Sequence, residues 1–401
     1  MSSELTADSH YGWLVATVGA VAMVFTFGTP LSYGIFREPF SAAFGIEPVA
    51  LSTVFSVMLF TFFIGSGVVG VLSVRLPARA VLLAAAAATV LIAPSLYLVS
   101  GYLGLLVVFA VLGLALGTQF VVVASVVPRW FEKRRGAATG LIFVGNGLGL
   151  FVLPPLWQVA IARFGVRQGF LAILGATAVA FLAAGLLCRR PPWIEPAAAT
   201  TDEVLGWVVD IARTRQFQYL FVGIGLAFAW YQLLAAFAVD LFAARGLSET
   251  AASTAFGAIG GVSIVSRIGG GYLGDRLGSR RGFLLSLGCA TAGLALLVAP
   301  APALLVGSVG LVGLGLGGCA TLYIPVLLTV YPPEKDTAVI GVFNVAAGVG
   351  SLVMPPLGTA TIAYTDGYTA AIVLTVGLTL VAFALVVAGT REERAPDRAA
   401  D

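Results

Sequence analysis

Gly140-Leu141-Ile142-Phe143-Val144-Gly145-Asn146-Gly147-Leu148-Gly149, with Pro154-Pro155 after it, falls onto Gly341-Val342-Phe343-Asn344-Val345-Ala346-Ala347-Gly348-Val349-Gly350, with Pro355-Pro356 after it, when the chain is slid against itself by 201 residues. The same shift lays Gly70, Leu72, Arg75, Leu76 and Arg79 on Gly271, Leu273, Arg276, Leu277 and Arg280. The chain is therefore two copies of one plan. The glycine strings superficially resemble phosphate-binding loops, but no strand precedes them and they lie inside long apolar runs, so nucleotide binding is excluded. Glycine in an apolar helix lets backbones approach closely, and in a moving bundle it lets them slide.

Composition says what those runs are for. Of 401 residues 59% are apolar and 10% charged, with a mean hydropathy of +1.01, whereas soluble proteins carry roughly a quarter charged residues. Apolar runs recur from Gly12 to Gly389 with short polar breaks, which excludes a soluble enzyme on a single anchor. The net charge of +3 sits in those breaks and not on one folded face, which excludes nucleic acid as a partner. Cys188, Cys289 and Cys319 lack paired spacing, and His10 is the one histidine, so neither disulfides, a metal site nor a cofactor is expected. Met1 to His10 lacks the basic segment of a signal peptide, so the run after it is read as a retained first helix.

A helix crossing ~30 Å of hydrocarbon needs about 20 residues. Divided at its polar breaks the chain gives twelve such spans: Gly12–Phe36, Ala50–Val74, Arg79–Val99, Leu103–Pro128, Gly136–Ala160, Gln168–Cys188, Phe217–Leu241, Thr250–Leu273, Gly282–Val298, Ala303–Val330, Thr337–Ala363 and Tyr368–Gly389. The expected fold is an all-α membrane protein of two pseudo-symmetric six-helix halves, 1–188 and 217–390, joined by a cytoplasmic linker, 189–216, and ending in a tail, 391–401. Six spans is an even number, so the halves run parallel and substrate belongs between them near mid-membrane. Seventeen Lys and Arg lie in one set of loops and four in the other, which places both termini in the cytoplasm of a cell-membrane protein.

Gly271-Tyr272-Leu273-Gly274-Asp275-Arg276-Leu277-Gly278-Ser279-Arg280-Arg281 resembles the loop signature of the major facilitator superfamily; the first-half copy has Val74 where the acid belongs. Trp130-Phe131-Glu132-Lys133-Arg134-Arg135-Gly136-Ala137-Ala138-Thr139-Gly140 is similar to an element of the monocarboxylate transporters and the neighbouring oxalate/formate exchangers, as are Tyr11-Gly12-Trp13 and Ser32-Tyr33-Gly34-Ile35-Phe36. The resemblance implies a gate in which Asp275 faces the start of the fifth span beside Lys133, Arg134 and Arg135, with Arg276 and Arg280 in the same signature. Val74 cannot do the equivalent at the start of the eleventh span, but Asp336 already supplies an acid there.

Arg267 is the one charge deep in a span. An arginine there costs ~2.5–3.5 kcal/mol on insertion scales, so it needs a partner or a wet cavity. Ser263 and Gly271 stand a turn away, and Asp240, Asp336 and Asp366 lie near span ends, so the counter-ion is read as the substrate, an organic anion held by the guanidinium. The monocarboxylate family carries its substrate-binding arginine in this helix, and the resemblance implies the same role for Arg267. Tyr33, Gln119, Asn146, Tyr231, Gln232, Tyr323 and Asn344 are the polar candidates for the rest of the substrate, and each serves equally well as interhelical glue. Trp130, Trp157, Trp193 and Trp207 read as interface anchors.

The sequence departs from the animal members of that family, which carry an acid a turn before the arginine and a lysine after the first-helix proline; here Ser263 and Leu31 stand there. Three routes for coupling remain open: the bound carboxylate takes the proton, the protein exchanges anions, or Asp240 participates. The expectation is a monomeric secondary transporter of lactate- or pyruvate-like monocarboxylates, a symporter if protons move with them, with an exchanger of small mono- and dicarboxylates as the alternative. A single cation favours the monoanion. An enzyme would need clustered titratable groups in the spans, and a sensor a sizeable output domain.

Overall fold

The computed structural model describes residues 8–72, 77–132, 135–193, 201–299, 301–331 and 336–390, and among these the regular structure is helical with no strand. The first helix, α1 (His10–Leu31), starts on Ser9, whose hydroxyl accepts from the Gly12 amide. The expected first span does not run unbroken to Phe36. Pro30 has no N–H to give the helix, the Ser32 amide turns to the Thr29 carbonyl, and the Ser32 hydroxyl donates to the Gly28 carbonyl at 2.6 Å. A separate helix, α2 (Tyr33–Phe44), follows and stops at Gly45, whose φ of 65° suits glycine.

Three spans follow as α3 (Pro48–Leu72), α4 (Ala78–Ile92) and α5 (Tyr102–Val126). Then α6 (Arg135–Leu187) carries the fifth and sixth spans in one element. Its apolar part, Gly140–Leu187, is 48 residues, about 72 Å at 1.5 Å each and more than twice the hydrocarbon thickness. Gly165, at φ 77° and ψ 171°, is the corner that divides it.

The expected polar linker contains a helix, α7 (Thr201–Ala212), whose Trp207 ring stands edge-on to Tyr331 at 6.2 Å. The seventh span also breaks early. In α8 (Arg215–Ala235) the helix ends as the Ala236 and Phe237 amides fold back onto the Leu233 and Leu234 carbonyls, and α9 (Ala238–Ala244) continues beyond. The repeat thus extends to the breaks, α1/α2 in one half and α8/α9 in the other. The rest of the second half is α10 (Glu249–Leu277), α11 (Ser279–Leu296), α12 (Pro302–Leu328), α13 (Asp336–Thr365) and α14 (Thr369–Gly389). Among the described residues ten stretches are long and apolar enough to cross a membrane. One of them holds two spans across Gly165, and α11, with Arg280 and Arg281 in its first turn, packs against α12 and α14 to complete twelve.

Within the halves α1 packs on α6, α3 on α5, α8 on α14 and α10 on α12; between them the main contacts are α3 with α13 and α6 with α10. Glycine spacing repeats in space as in sequence. Gly113 and Gly117 of α5 lie on the Met58 and Phe62 carbonyls of α3, and Gly313 and Gly317 of α12 lie on those of Ile259 and Ser263 in α10. Side chains larger than hydrogen would separate these pairs.

Two of the expected interface anchors are core residues instead. Trp130 and Trp157 are fully buried: the Trp130 indole donates to the Arg189 carbonyl at 2.8 Å and packs on Tyr11, and Trp157 stands edge-on to Phe36 at 4.7 Å. A partner inside the fold satisfies the Trp130 N–H as well as a headgroup would.

Candidate functional site

Between the halves lies a partly open cavity. The first half contributes Phe27 and Leu31 from α1, Leu59 and Phe63 from α3, Phe120 from α5, and Phe143, Asn146 and Leu150 from α6. The second contributes Ala227, Phe228, Trp230, Tyr231 and Gln232 from α8, Arg267 from α10, Leu316, Cys319, Ala320 and Tyr323 from α12, and Asn344 from α13. Arg267 is the one charged residue in this wall.

The α10 helix aims Arg267 inward. Val265 and Ile268 are 66% and 65% exposed, whereas Ser263, one turn back from the arginine, is fully buried and Arg267 itself is 7% exposed. Positions i and i+4 share a helix face, so 263 and 267 face the interior while 265 and 268 face lipid. Arg267 stands about two-thirds along α10, ten residues or about 15 Å from the Leu277 end. Gly317 lets α12 close on the backbone of Ser263 and so fixes the turn that carries the arginine. Under the 201-residue repeat its counterpart is Ser66, so only one half places a charge here.

Among the described residues no acid neutralises it. The one ion pair among the described residues is Arg37–Asp240, and the Arg267 Nε has no hydrogen-bond partner. Three neighbours in the wall share that condition: the Trp230 indole N–H, the Tyr231 hydroxyl and the Gln232 Oε1 are buried and unpartnered. Tyr231 lies within electrostatic reach of Arg267 and stacks on Phe256 at 6.1 Å. Arg, Trp and Tyr are donors, and an ionised carboxylate offers only acceptors. Buried polar groups without partners are costly, so such a cluster in one wall is the mark of a ligand site.

Six of the eight residues expected at the substrate meet here: Arg267, Asn146, Tyr231, Gln232, Tyr323 and Asn344. Asn146 Oδ1 accepts from the Thr26 hydroxyl at 3.1 Å, Asn344 Nδ2 donates across the halves to Ser66 Oγ at 3.2 Å, and the Tyr323 ring is edge-on to Phe228 at 5.0 Å. Tyr33 and Gln119 are corrections, since neither lines the cavity. Tyr33 follows the break at Ser32 and stacks on Phe55 at 4.4 Å. Gln119 faces the other way on α5, donating to the Leu82 carbonyl at 3.0 Å; its neighbour Phe120, turned about 100° along the helix, is the wall residue. The aromatic wall and Trp230 were not singled out in the sequence, where 26 phenylalanines give no sign of which face lipid.

Both ends of the cavity have closures. At the face away from the termini, Ser52 and Thr359 hydroxyls meet at 2.7 Å, Gln158 donates to Glu249 at 3.1 Å, and Arg37 of α2 pairs with Asp240 of α9. At the other, Gly67 of α3 lies against Gly341 of α13. Among the residues expected to gate, Arg280 is tied within its own half, Nε to Thr390 Oγ1 at 2.7 Å, and Arg276 is exposed on the last turn of α10. Lys133 and Arg134, and the side chains of Arg135, Asp275 and Asp336, lie outside the described residues. Among the described residues no His, Cys, Asp or Glu cluster could hold a metal.

Comparison with known proteins agrees with this architecture. The Major Facilitator Superfamily matches residues 13–270 and 219–401. Monocarboxylate transporter 13 of Bos taurus is 26% identical over 92% of this chain and 86% of its own length. Monocarboxylate transporter 9 of Mus musculus is 28% identical over 47% of this chain, a match spanning 37% of that relative. Among solved structures the nucleoside transporter NupG superposes with a TM-score of 0.75 at 13% identity, covering 94% of this chain and all of that one, and a peptide transporter with 0.72 at 15% over 95% of each. These are transporters and not enzymes; this multi-pass membrane protein, with twelve spans in two related halves around a central cavity, belongs to the Major Facilitator Superfamily.

Proposed function

We propose that the protein is a secondary active transporter of organic monocarboxylates, of which lactate and pyruvate are the simplest, working by alternating access around the central cavity. The observation that carries this is Arg267, a guanidinium buried in the wall with no acid beside it among the described residues. A carboxylate satisfies it with two parallel hydrogen bonds and takes further donors from Tyr231 and Trp230. Neutralised, the site loses the penalty for burying charge, and the halves can rock past mid-position. The names of the relatives point to the same cargo.

The exchanger of small mono- and dicarboxylates is the second reading. A dianion would call for a second cation, and Arg267 stands alone in the wall. Among the described residues no acid lines the cavity, so in a symport cycle the proton rides on the bound carboxylate or on Asp240. The reading includes a monomer in the cell membrane with both termini cytoplasmic, halves at 1–188 and 217–390, and a cytoplasmic latch of Asp275 against the basic start of α6. Uptake of labelled pyruvate into proteoliposomes, with and without an imposed pH gradient, tests it. Arg267→Ala abolishes uptake while the protein stays monodisperse; retained uptake in that variant removes the proposal.

A further inference from the structure

The two walls of the cavity differ in chemistry. Arg267, Tyr231, Gln232 and Tyr323 all come from the second half. The first half presents four phenylalanines, with Asn146 its one hydrogen-bonding side chain, and the Asn146 Oδ1 already accepts from Thr26. The rings support one another: Phe27 stands edge-on to Phe120 at 5.2 Å and to Phe63 at 6.5 Å, and Phe120 edge-on to Phe143 at 6.4 Å. Phe27, Phe120 and Phe143 are only partly buried, so ring surface remains for a ligand.

We infer that the cargo carries an aromatic or comparably broad apolar group, packed on Phe27, Phe63, Phe120 and Phe143 of the first half while its carboxylate sits on Arg267 of the second. This rests on the carboxylate reading of Arg267. A three-carbon acid has almost no apolar surface to give such a wall, and water left against the rings would need two to four polar partners that phenyl groups do not supply. A ring meets the phenylalanines in the edge-to-face or offset geometry they already use among themselves. A cargo that touches both halves also ties its own occupancy to their relative motion, which a ligand confined to one wall cannot do.

Lactate and 3-phenyllactate differ only by a phenyl group, so the ratio of their kcat/KM values isolates the wall. Uptake of each is measured in proteoliposomes of the full chain, wild type and variant, after confirming monodispersity. The expected preference for 3-phenyllactate is on the order of 10- to 100-fold, the range for burying one aromatic side chain. Phe120→Ala and Phe143→Ala each lower that ratio severalfold, and Phe120→Leu, which keeps apolar bulk and is the milder test of folding, lowers it less. Arg267→Ala abolishes uptake of both acids. Lactate carried as well as or better than 3-phenyllactate overturns the inference and leaves the monocarboxylate reading standing. A preference that survives unchanged in both alanine variants overturns the placement of the ring. Failure to carry either acid overturns the carboxylate reading and this inference with it.

Discussion

Gly313→Ala should loosen the helix pair that holds Arg267, and the size of the effect can be worked from contact distances. A Cβ on Gly313 would stand 2.7 Å from the Ile259 carbonyl oxygen and 2.7 Å from the Val262 Cβ, both rigid parts of α10. Ordinary packing needs about 3.4 Å or more, so α12 and α10 must part by several tenths of an ångström along a tightly packed seam. Overpacking of this kind costs typically ~1–3 kcal/mol. Gly310, one turn earlier on the same helix, has nothing within 4 Å of where a Cβ would go. There alanine is expected to be neutral or to add up to about 1 kcal/mol through helix propensity. The assay is the temperature at which detergent-solubilised protein loses its monodisperse peak, measured for both variants beside wild type. Gly313→Ala should fall below wild type and Gly310→Ala should not. Equal stability of the two would refute the close seam and, with it, the account of how α10 is held in register.

Other perturbations test other parts of the structure. Asp240→Ala leaves Arg37 unpaired at the face away from the termini, so the protein should shift toward the state open on that side, read as faster labelling of a cysteine introduced in the cavity; the swap Arg37→Asp with Asp240→Arg should restore the slower rate. Tyr33→Phe removes a buried hydroxyl that has no partner, so thermal stability should hold or rise and substrate affinity stay at the wild-type value; a large loss of affinity would return Tyr33 to the substrate. Asn344→Ala removes the bond across the halves to Ser66 and should change the balance between the two access states by about 1 kcal/mol, severalfold in a labelling ratio, with little loss of folded protein.

The repeat, the spans and the buried arginine could be read from the sequence because each is a strong contrast against its surroundings. A charge inside an apolar run, as at Arg267, stands out at once, whereas the break at Pro30 is missed and the first span reads through to Phe36. The matching break between α8 and α9 has no proline to announce it; Ala236 and Phe237 look like any helical pair. The corner in α6 rests on a single positive φ at Gly165 among 49 glycines, most of which serve packing. Facing was the main loss. On α5, Gln119 attracts attention as the polar residue, yet it bonds the Leu82 carbonyl while Phe120 faces the cavity. In a soluble helix the polar face is the outer one and fixes the rest, but lipid and an apolar cavity favour the same residues. That is also why the phenylalanine wall was hidden, and why Trp130 and Trp157 resembled interface anchors while lying in the core.

The claim on which the function depends is that Arg267 binds the cargo by its negative charge. Equilibrium binding of lactate and of its neutral amide, lactamide, to purified wild-type and Arg267→Gln protein measures this without a transport cycle. A charge-assisted bidentate contact is worth roughly 1.5–3 kcal/mol, so wild type should prefer the carboxylate about 10- to 150-fold. Arg267→Gln should bind both compounds weakly and with no preference between them. Equal binding of the two by wild type, or a carboxylate preference that persists in Arg267→Gln, would contradict the account.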